Sequence, residues 1–277
     1  MIPDLMADPA ESLRKRRQLR IRNREGWRGW DDYATFYDWE NAQTVQRRDV
    51  GFWERLAAAA EGPVLELGCG TGRITVPVAR GGAHVVGIDR SQPMLERAAT
   101  KLRRARLARH ATLVRGDIRH LPFRRAQFPL VMAPYGILQS LTRERDLAAT
   151  LASVARVLRK GGRFGIDLVP DLPRWSEYEA RRTMSGRMGR RTKVSLVESV
   201  TQDRARGLTI FDQQYLTTRD GERRAHHFTL TFRTLSIRQM TSRLERAGFA
   251  IDVVLGDYRG GPWDARADVW VILATKR

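Results

Sequence analysis

From residue 64 onward, short continuously apolar runs alternate with longer amphipathic ones. VLELG (64–68) precedes a helical pattern from Thr71 to Arg80, and HVVGID (84–89) precedes SQPMLERAATKLRRAR (91–106). TLVRGD (112–117) and FPLVMAP (128–134) follow as strands, and RERDLAATLASVARVL (143–158) as a helix. A turn at Lys160-Gly161-Gly162 then leads into strand RFGIDLV (163–169). Strands apolar on both faces with helices between them predict a parallel sheet covered on both sides.

After Pro170 the rhythm changes. KVSLVESVT (193–201), LTIFDQQYLTT (208–218) and HHFTLTFRTL (226–235) read as strands joined by turns at Arg206-Gly207 and Asp220-Gly221. An Asp-Gly pair between two strand patterns is a hairpin signal, so this stretch predicts an antiparallel insertion. Helix SIRQMTSRLERAGF (236–249) and strands AIDVVLGDY (250–258) and DVWVILAT (268–275) then resume the α/β pattern. Ahead of the first strand, Tyr33, Phe36 and Tyr37 recur at helical spacing, DVGFWERLAAAA continues the helix, and Gly62-Pro63 end it. The expected organisation is a mobile basic arm (1–28), a helical lid (29–61), a core (62–170), an antiparallel cap (171–235) and the end of the core (236–277).

Composition narrows the class. The 277 residues, 42% of them hydrophobic, suffice for one large core. No apolar run reaches the ~20 residues of a membrane span and the first residues lack a secretory signal's apolar centre, so no membrane partner and a cytoplasmic location are expected. Cys69 is the one cysteine, and His84, His110, His120, His226 and His227 have no ligand spacing, so no metal is expected. The net charge of +19 would suit nucleic acid. Only Lys15, Lys101, Lys160, Lys193 and Lys276 are lysines, however, and an arginine skew of this kind follows from GC-rich coding alone. The runs at 14–24 and 181–193 are therefore expected as solvated segments, and nucleic acid is not the expected partner.

Chemistry gathers at the strand ends. Gly68, Gly70 and Gly72 just past the first strand form GxGxG, without the GxGxxG step that sets a helix terminus on a pyrophosphate. Glu66 within that strand would repel a pyrophosphate and favour an ammonium group. Asp89 ends the second strand, 21 residues after Gly68, where a carboxylate accepts from ribose hydroxyls, and Asp117 ends the third, where it can face an adenine amine. Acids at three successive strand ends suit a ligand with an amine, a ribose diol and an adenine amine. S-adenosyl-L-methionine carries all three.

In ELGCGTGR, VVGIDRSQPMLERA, RGDIRHLPF, FPLVMAPYGILQSL and LASVARVLRKGGRFGIDL, in that order, the chain resembles the class I S-adenosylmethionine-dependent methyltransferases over roughly residues 31 to 277. The resemblance implies a Rossmann-like, seven-stranded, mostly parallel sheet with helices on both faces and an antiparallel β insertion after the fifth strand. It implies a cofactor site of Glu66, Gly68, Cys69, Gly70, Gly72, Asp89 and Arg90, completed by Met94, Asp117, Ile118, Pro134 and Tyr37, with Arg73 a candidate for the cofactor carboxylate.

Ala133-Pro134-Tyr135-Gly136 lacks the Asn/Asp-Pro-Pro-aromatic signature of amino methyltransferases that act on nucleic acid. The insertion resembles the cap of small-molecule enzymes, so a small methyl acceptor is expected, its N- or O-linkage and the oligomeric state staying open; the alternatives are an RNA or protein methyltransferase, or a cofactor-binding protein without turnover. Tyr135 is the candidate for positioning the acceptor, and Tyr33, Tyr215, Tyr258, Arg259 and Trp263 for binding it. Strand alternation sets Phe211, Gln213 and Tyr215 on one face of the cap and Ile210, Asp212 and Gln214 on the other, and either face is a candidate wall of the site.

Overall fold

The computed structural model describes residues 30–44, 48–169, 177–264, 266–267 and 269–277. The basic arm expected at 1–28 lies outside the described residues. Helices α1 (Trp30–Asn41) and α2 (Val50–Ala58) lead into β1 (Val64–Leu67), α3 (Thr75–Arg80), β2 (Val85–Asp89), α4 (Gln92–Arg104) and β3 (Ala111–Arg115). Next come β4 (Phe128–Ala133), α5 (Glu144–Val157) and β5 (Leu158–Leu168). Four strands follow, β6 (Tyr178–Met188), β7 (Thr192–Asp203), β8 (Leu208–Arg219) and β9 (Glu222–Arg233), and then α6 (Ile237–Arg246), β10 (Phe249–Leu255) and β11 (Trp270–Lys276).

The seven-stranded sheet has the order β10-β11-β5-β4-β1-β2-β3. β1 to β5 run parallel, and β11 enters antiparallel between β5 and β10. Every residue of β1 and β4 is buried, as their unbroken apolar runs require of central strands. Strand order reverses between β1 and β4, so the carboxyl ends of these two strands open the crevice where such sheets bind ligands. Helix starts are set locally. Ser91 Oγ accepts the Met94 N–H at 3.3 Å to cap α4, and Ser236 with Gln239 forms a capping box on α6.

The chain departs from the sequence pattern in three places. α3 begins at Thr75 rather than Thr71, because Gly70 and Gly72 sit at φ +51° and +79° and carry an irregular turn past the expected start. Lys160-Gly161-Gly162 does not end a helix ahead of a separate strand. It forms a bulge inside β5, where pairing jumps from Phe128↔Leu158 to Leu130↔Arg163. The basic run 181–193 is exposed to solvent, as expected, but the sequence pattern did not show it as a strand: Arg181, Arg182 and Arg187 stand on β6, an edge strand of the four-stranded antiparallel sheet β6-β7-β8-β9. Its residues are mostly exposed, which erased the period-two apolar signal, and charge on an edge strand deters pairing with another chain. Asp220 (φ +50°) and Gly221 (φ +86°) make the expected tight turn between β8 and β9.

Candidate functional site

The glycine turn after β1 is held from β2. Asp89 Oδ2 accepts the Gly70 N–H at 2.9 Å and Asp89 Oδ1 accepts the Ser91 N–H at 2.8 Å, so one carboxylate fixes the turn and the start of α4. Burial raises the Asp89 carboxyl above its ordinary range, with the bonds from Ser91 and Gly70 opposing. A methyl group at Gly68 would meet Ile137 Cδ1 at 2.5 Å, whereas one at Gly70 would find nothing nearer than 3.9 Å, where the Tyr37 ring begins. Gly68 therefore lets two loops close together, and Gly70 leaves room over the turn.

At the end of β4 the chain bends through two consecutive left-handed residues, Tyr135 (φ +60°) and Gly136 (φ +62°). A tyrosine there is strained by about 1 kcal/mol or more. The bend is tied down from behind: the Gly136 N–H donates to Asp167 Oδ1 at 2.8 Å, and Tyr258 Oη donates to Asp167 Oδ2 at 2.8 Å. The Tyr135 ring is left 40% exposed with the Arg73 guanidinium 5.1 Å from its centre.

These elements border one cavity of about 1140 Å³. Gly68, Gly70, Asp89, Arg90 and Met94 line one side, with Asp117 and Ile118 beyond them. Pro134, Tyr135, Tyr33 and Tyr37 form the middle, and the cap closes it with Thr209, Phe211, Gln213, Leu230 and Phe232. The face of β8 carrying Phe211 and Gln213 is thus the one turned to the cavity. α1 joins cap to core: Phe36 stacks on Tyr215 with ring centres 4.3 Å apart, while Asp38 accepts from Thr71 (2.6 Å) and Lys101 (2.7 Å) on the core side.

Residues 64–162 match the family described as a methyltransferase domain. The chain carries a methyltransferase domain with the class I S-adenosylmethionine-dependent fold. Across 214 residues the methyltransferase is 29% identical to the cypemycin N-terminal methyltransferase of Streptomyces sp, covering 77% of this chain and 83% of that one. It is 33% identical over 118 residues to the demethylmenaquinone methyltransferase of Lactobacillus johnsonii, a match spanning 42% of this chain and 47% of that enzyme. Its fold matches S-adenosylmethionine-bound CalS10, an amino pentose methyltransferase from Micromonospora echinaspora, with a TM-score of 0.61, 18% identity and full coverage of both chains. No helix among the described residues is long and apolar enough to cross a membrane, and they contain no cluster of potential metal ligands.

S-adenosylmethionine is the cofactor of the methyltransferase, and the residues present suit it better than a dinucleotide. α3 starts three residues past Gly72, so no helix terminus offers its N–H groups to a pyrophosphate at the glycine turn. Arg73 is bound through both its terminal nitrogens to buried Asp49 at 2.7 Å, which fixes its guanidinium in place beside Tyr135.

Several sequence candidates lie off the cavity. Glu66 turns to the opposite layer of the sheet, accepting from Thr75 Oγ1 at 2.6 Å, and burial pushes its carboxyl up to about 8, so it presents no anion to the ligand. The Cys69 side chain is buried, with Sγ packed against Gly87, where a Cβ would come within 2.9 Å of it. Gly72 packs on Ala98, which a Cβ there would meet at 3.2 Å. Tyr215 is buried and donates to Glu40, Tyr258 is engaged behind the bend by Asp167, and Trp263, 41% exposed, packs edge-on against Trp270. Arg259 is exposed beyond the bend. Asp117 lines the cavity but is clamped by Arg119 Nη2 at 2.8 Å and Arg90 Nη1 at 3.3 Å, with the Arg119 bonds keeping its carboxyl below the usual range against the pull of burial.

Sequence reasoning missed Gln139 and Glu40. Gln139 accepts from the Val169 N–H and donates to the carbonyls of Val169 and Arg233, so it ties the loop after Tyr135 to both ends of the cap. Glu40 ends the cavity-facing side of α1, one turn beyond Tyr37, and a search of that helix for polar positions three and four residues from its tyrosines would have found it.

Proposed function

We propose that the methyltransferase acts on a small molecule enclosed between the core and the antiparallel cap, transferring a methyl group to nitrogen or oxygen. One observation carries this reading: the glycine turn and Asp89 share a single cavity with the cap residues Phe211, Gln213 and Leu230. An acceptor must reach the cofactor through that capped space, which suits a small body better than a duplex. S-adenosylmethionine supplies an electrophilic methyl group on a sulfonium that departs as a neutral thioether. The protein's task is then alignment in a dry pocket. In this reading Asp89 accepts from the ribose, Gly68 and Gly70 give the methionine portion close access to the backbone, and Met94 and Ile118 flank the adenine. Tyr37 and Tyr135 border the methyl group. Tyr135 positions the acceptor, held at its angle by Gly136, Asp167 and Tyr258. The buried free thiol of Cys69 accords with a reducing, cytoplasmic setting.

The test is a screen for transfer of labelled methyl from S-adenosylmethionine to a library of small amines, phenols, alcohols and acids, with total RNA and peptides alongside. Labelling of small molecules supports the reading. Labelling confined to RNA or protein refutes it and brings forward a macromolecular role for the arginine-rich segments.

A further inference from the structure

The end of the cavity under the cap holds an arrangement at odds with the rest of the molecule. Basic side chains outnumber acidic ones 50 to 31, and exposed or partly exposed acids such as Asp117, Asp146 and Glu144 are paired with arginines. Glu40 and Glu198 both line the cavity, yet among the described residues neither forms an ion pair with a lysine or arginine. Their partners are neutral. Tyr33 and Tyr215 donate to Glu40 Oε2, Tyr178 donates to Glu198 Oε1, and Gln213 donates to Glu198 Oε2 at 2.8 Å.

That network leaves one carboxylate oxygen nearly unengaged. Glu40 Oε1 receives only a long bond from Gln213 Nε2 at 3.4 Å. Gln213 Oε1 has no partner either, but it is sealed off from the cavity, so it is not a contact for a ligand there. The amide cannot be turned to relieve this, because its nitrogen must face the two carboxylates. The groups facing Glu40 are thus Tyr33 on its own helix, Gln213 and Tyr215 on β8, Glu198 on β7 and, through space, Tyr135 after β4. Two carboxylates without a cationic partner, the free side of Glu40 Oε1 and the aromatic faces of Trp30, Tyr33 and Phe211 favour a cation with more than one N–H. A hydroxyl carries no charge and has one proton to donate.

We infer that the acceptor is an amine, held as its ammonium by Glu40 and Glu198, which Gln213 sets in place, with Glu40 removing the proton that must leave before nitrogen can attack. This rests on the small-molecule reading above. Glu40 is placed for the task, one helical turn from Tyr37, whose ring borders the space over Gly70. In the step, an N–H bond of R–NH3+ breaks and the proton passes to the Glu40 carboxylate. The freed lone pair forms the N–C bond to the methyl group as the C–S bond breaks with its electrons going to sulfur. The products are R–NH2+–CH3, S-adenosylhomocysteine and neutral Glu40. Burial raises the Glu40 carboxyl above its usual range, against the bonds from Tyr215 and Tyr33, which makes it a better base near neutrality.

The experiment compares phenethylamine, 2-phenylethanol and 3-phenylpropanoate, which share a body and differ in head group, by calorimetric titration of the full chain without cofactor. The amine is expected to bind at least tenfold more tightly than the alcohol, and the acid most weakly. Glu40→Gln should remove that preference while leaving S-adenosylmethionine affinity within twofold, which also shows that the variant is folded. Glu198→Gln should weaken amine binding several-fold and provides a second variant. For substrates found by the methylation screen, fragmentation should place the new methyl on nitrogen, and Glu40→Gln should lower kcat at least tenfold and change the acidic limb of its pH profile. Equal or absent binding of amine and alcohol, a methyl group on oxygen or carbon, or wild-type turnover by Glu40→Gln each overturns the proposal. In the oxygen or carbon case the small-molecule reading survives. Labelling confined to RNA or protein overturns both.

Discussion

Asp89 and Tyr258 show how much of this site is made by residues that hold backbone. Asp89 combines two backbone bonds with a place on the cavity wall, so its loss should both loosen the Gly70 turn and remove a ribose acceptor. Asp89→Ala is therefore expected to weaken S-adenosylmethionine binding by ~1 to 3 kcal/mol, read by calorimetry, as for a lost hydrogen bond to a charged group. Unchanged affinity would take Asp89 out of the site. Tyr258 is a different case, because it never reaches the cavity. Its hydroxyl holds Asp167, which holds Gly136 behind Tyr135. Tyr258→Phe keeps the ring and removes one bond, so thermal unfolding should report a loss of ~1 kcal/mol, accompanied by a raised acceptor KM and an unaltered cofactor Kd. A weaker cofactor Kd with normal acceptor KM would contradict the positioning role.

The parallel core was legible at the level of elements because its strands are buried on both faces and its glycine turn has no other use for three closely spaced glycines. The cap was legible only where one face of a strand is buried. Val194, Leu196 and Val200 announce β7, while β6 is exposed along most of its length and left no alternation to read. The same limit governed the site. Residues that touch a ligand through position on a strand end, such as Asp89, followed from spacing. The roles of Glu40, Gln139 and Tyr258 depend on contacts between elements 30 to 175 residues apart in the chain, which no local pattern encodes. The glycine turn offers a test of how far spacing alone decides. Gly68 and Gly82 both have positive φ, +61° and +94°, but only at Gly68 would a Cβ strike a neighbour. Gly82→Ala should cost ~1 kcal/mol from backbone strain alone. Gly68→Ala adds a clash with Ile137 and should cost at least ~1 kcal/mol more. Equal melting temperatures for the two variants would show that Ile137 yields freely.

For the molecule as a whole, buried acids set the dependence of stability on pH. Burial pushes Glu66 up to about 8 and Asp167 up to about 6, and raises Asp89 in the same direction. A carboxyl with a higher pKa in the folded chain than in the unfolded one binds more protons when folded. Its contribution is complete below the unfolded pKa of about 4 and is lost as pH rises toward the folded value, at up to ~1.4 kcal/mol per pH unit for each group. Glu144 works in the opposite sense. Arg243 and Arg233 hold it down at about 2, so its contribution fades only as pH falls below the ordinary carboxylate range, and its half-exposed side chain keeps that contribution small. Stability of the ligand-free protein should therefore peak near pH 4, fall to pH 6 as Asp167 and Glu66 both lose protons on unfolding, and fall further to pH 8 through Glu66. Urea unfolding at pH 5, 6.5 and 8 measures this directly. Glu66→Gln cannot ionise and keeps an acceptor for Thr75, so it should flatten the curve between pH 6.5 and 8 and make the variant the more stable protein at pH 8. A wild-type curve already flat over that interval, or an unchanged slope in Glu66→Gln, would mean that Glu66 is ionised in the fold and that some other charge balances it beneath the glycine turn.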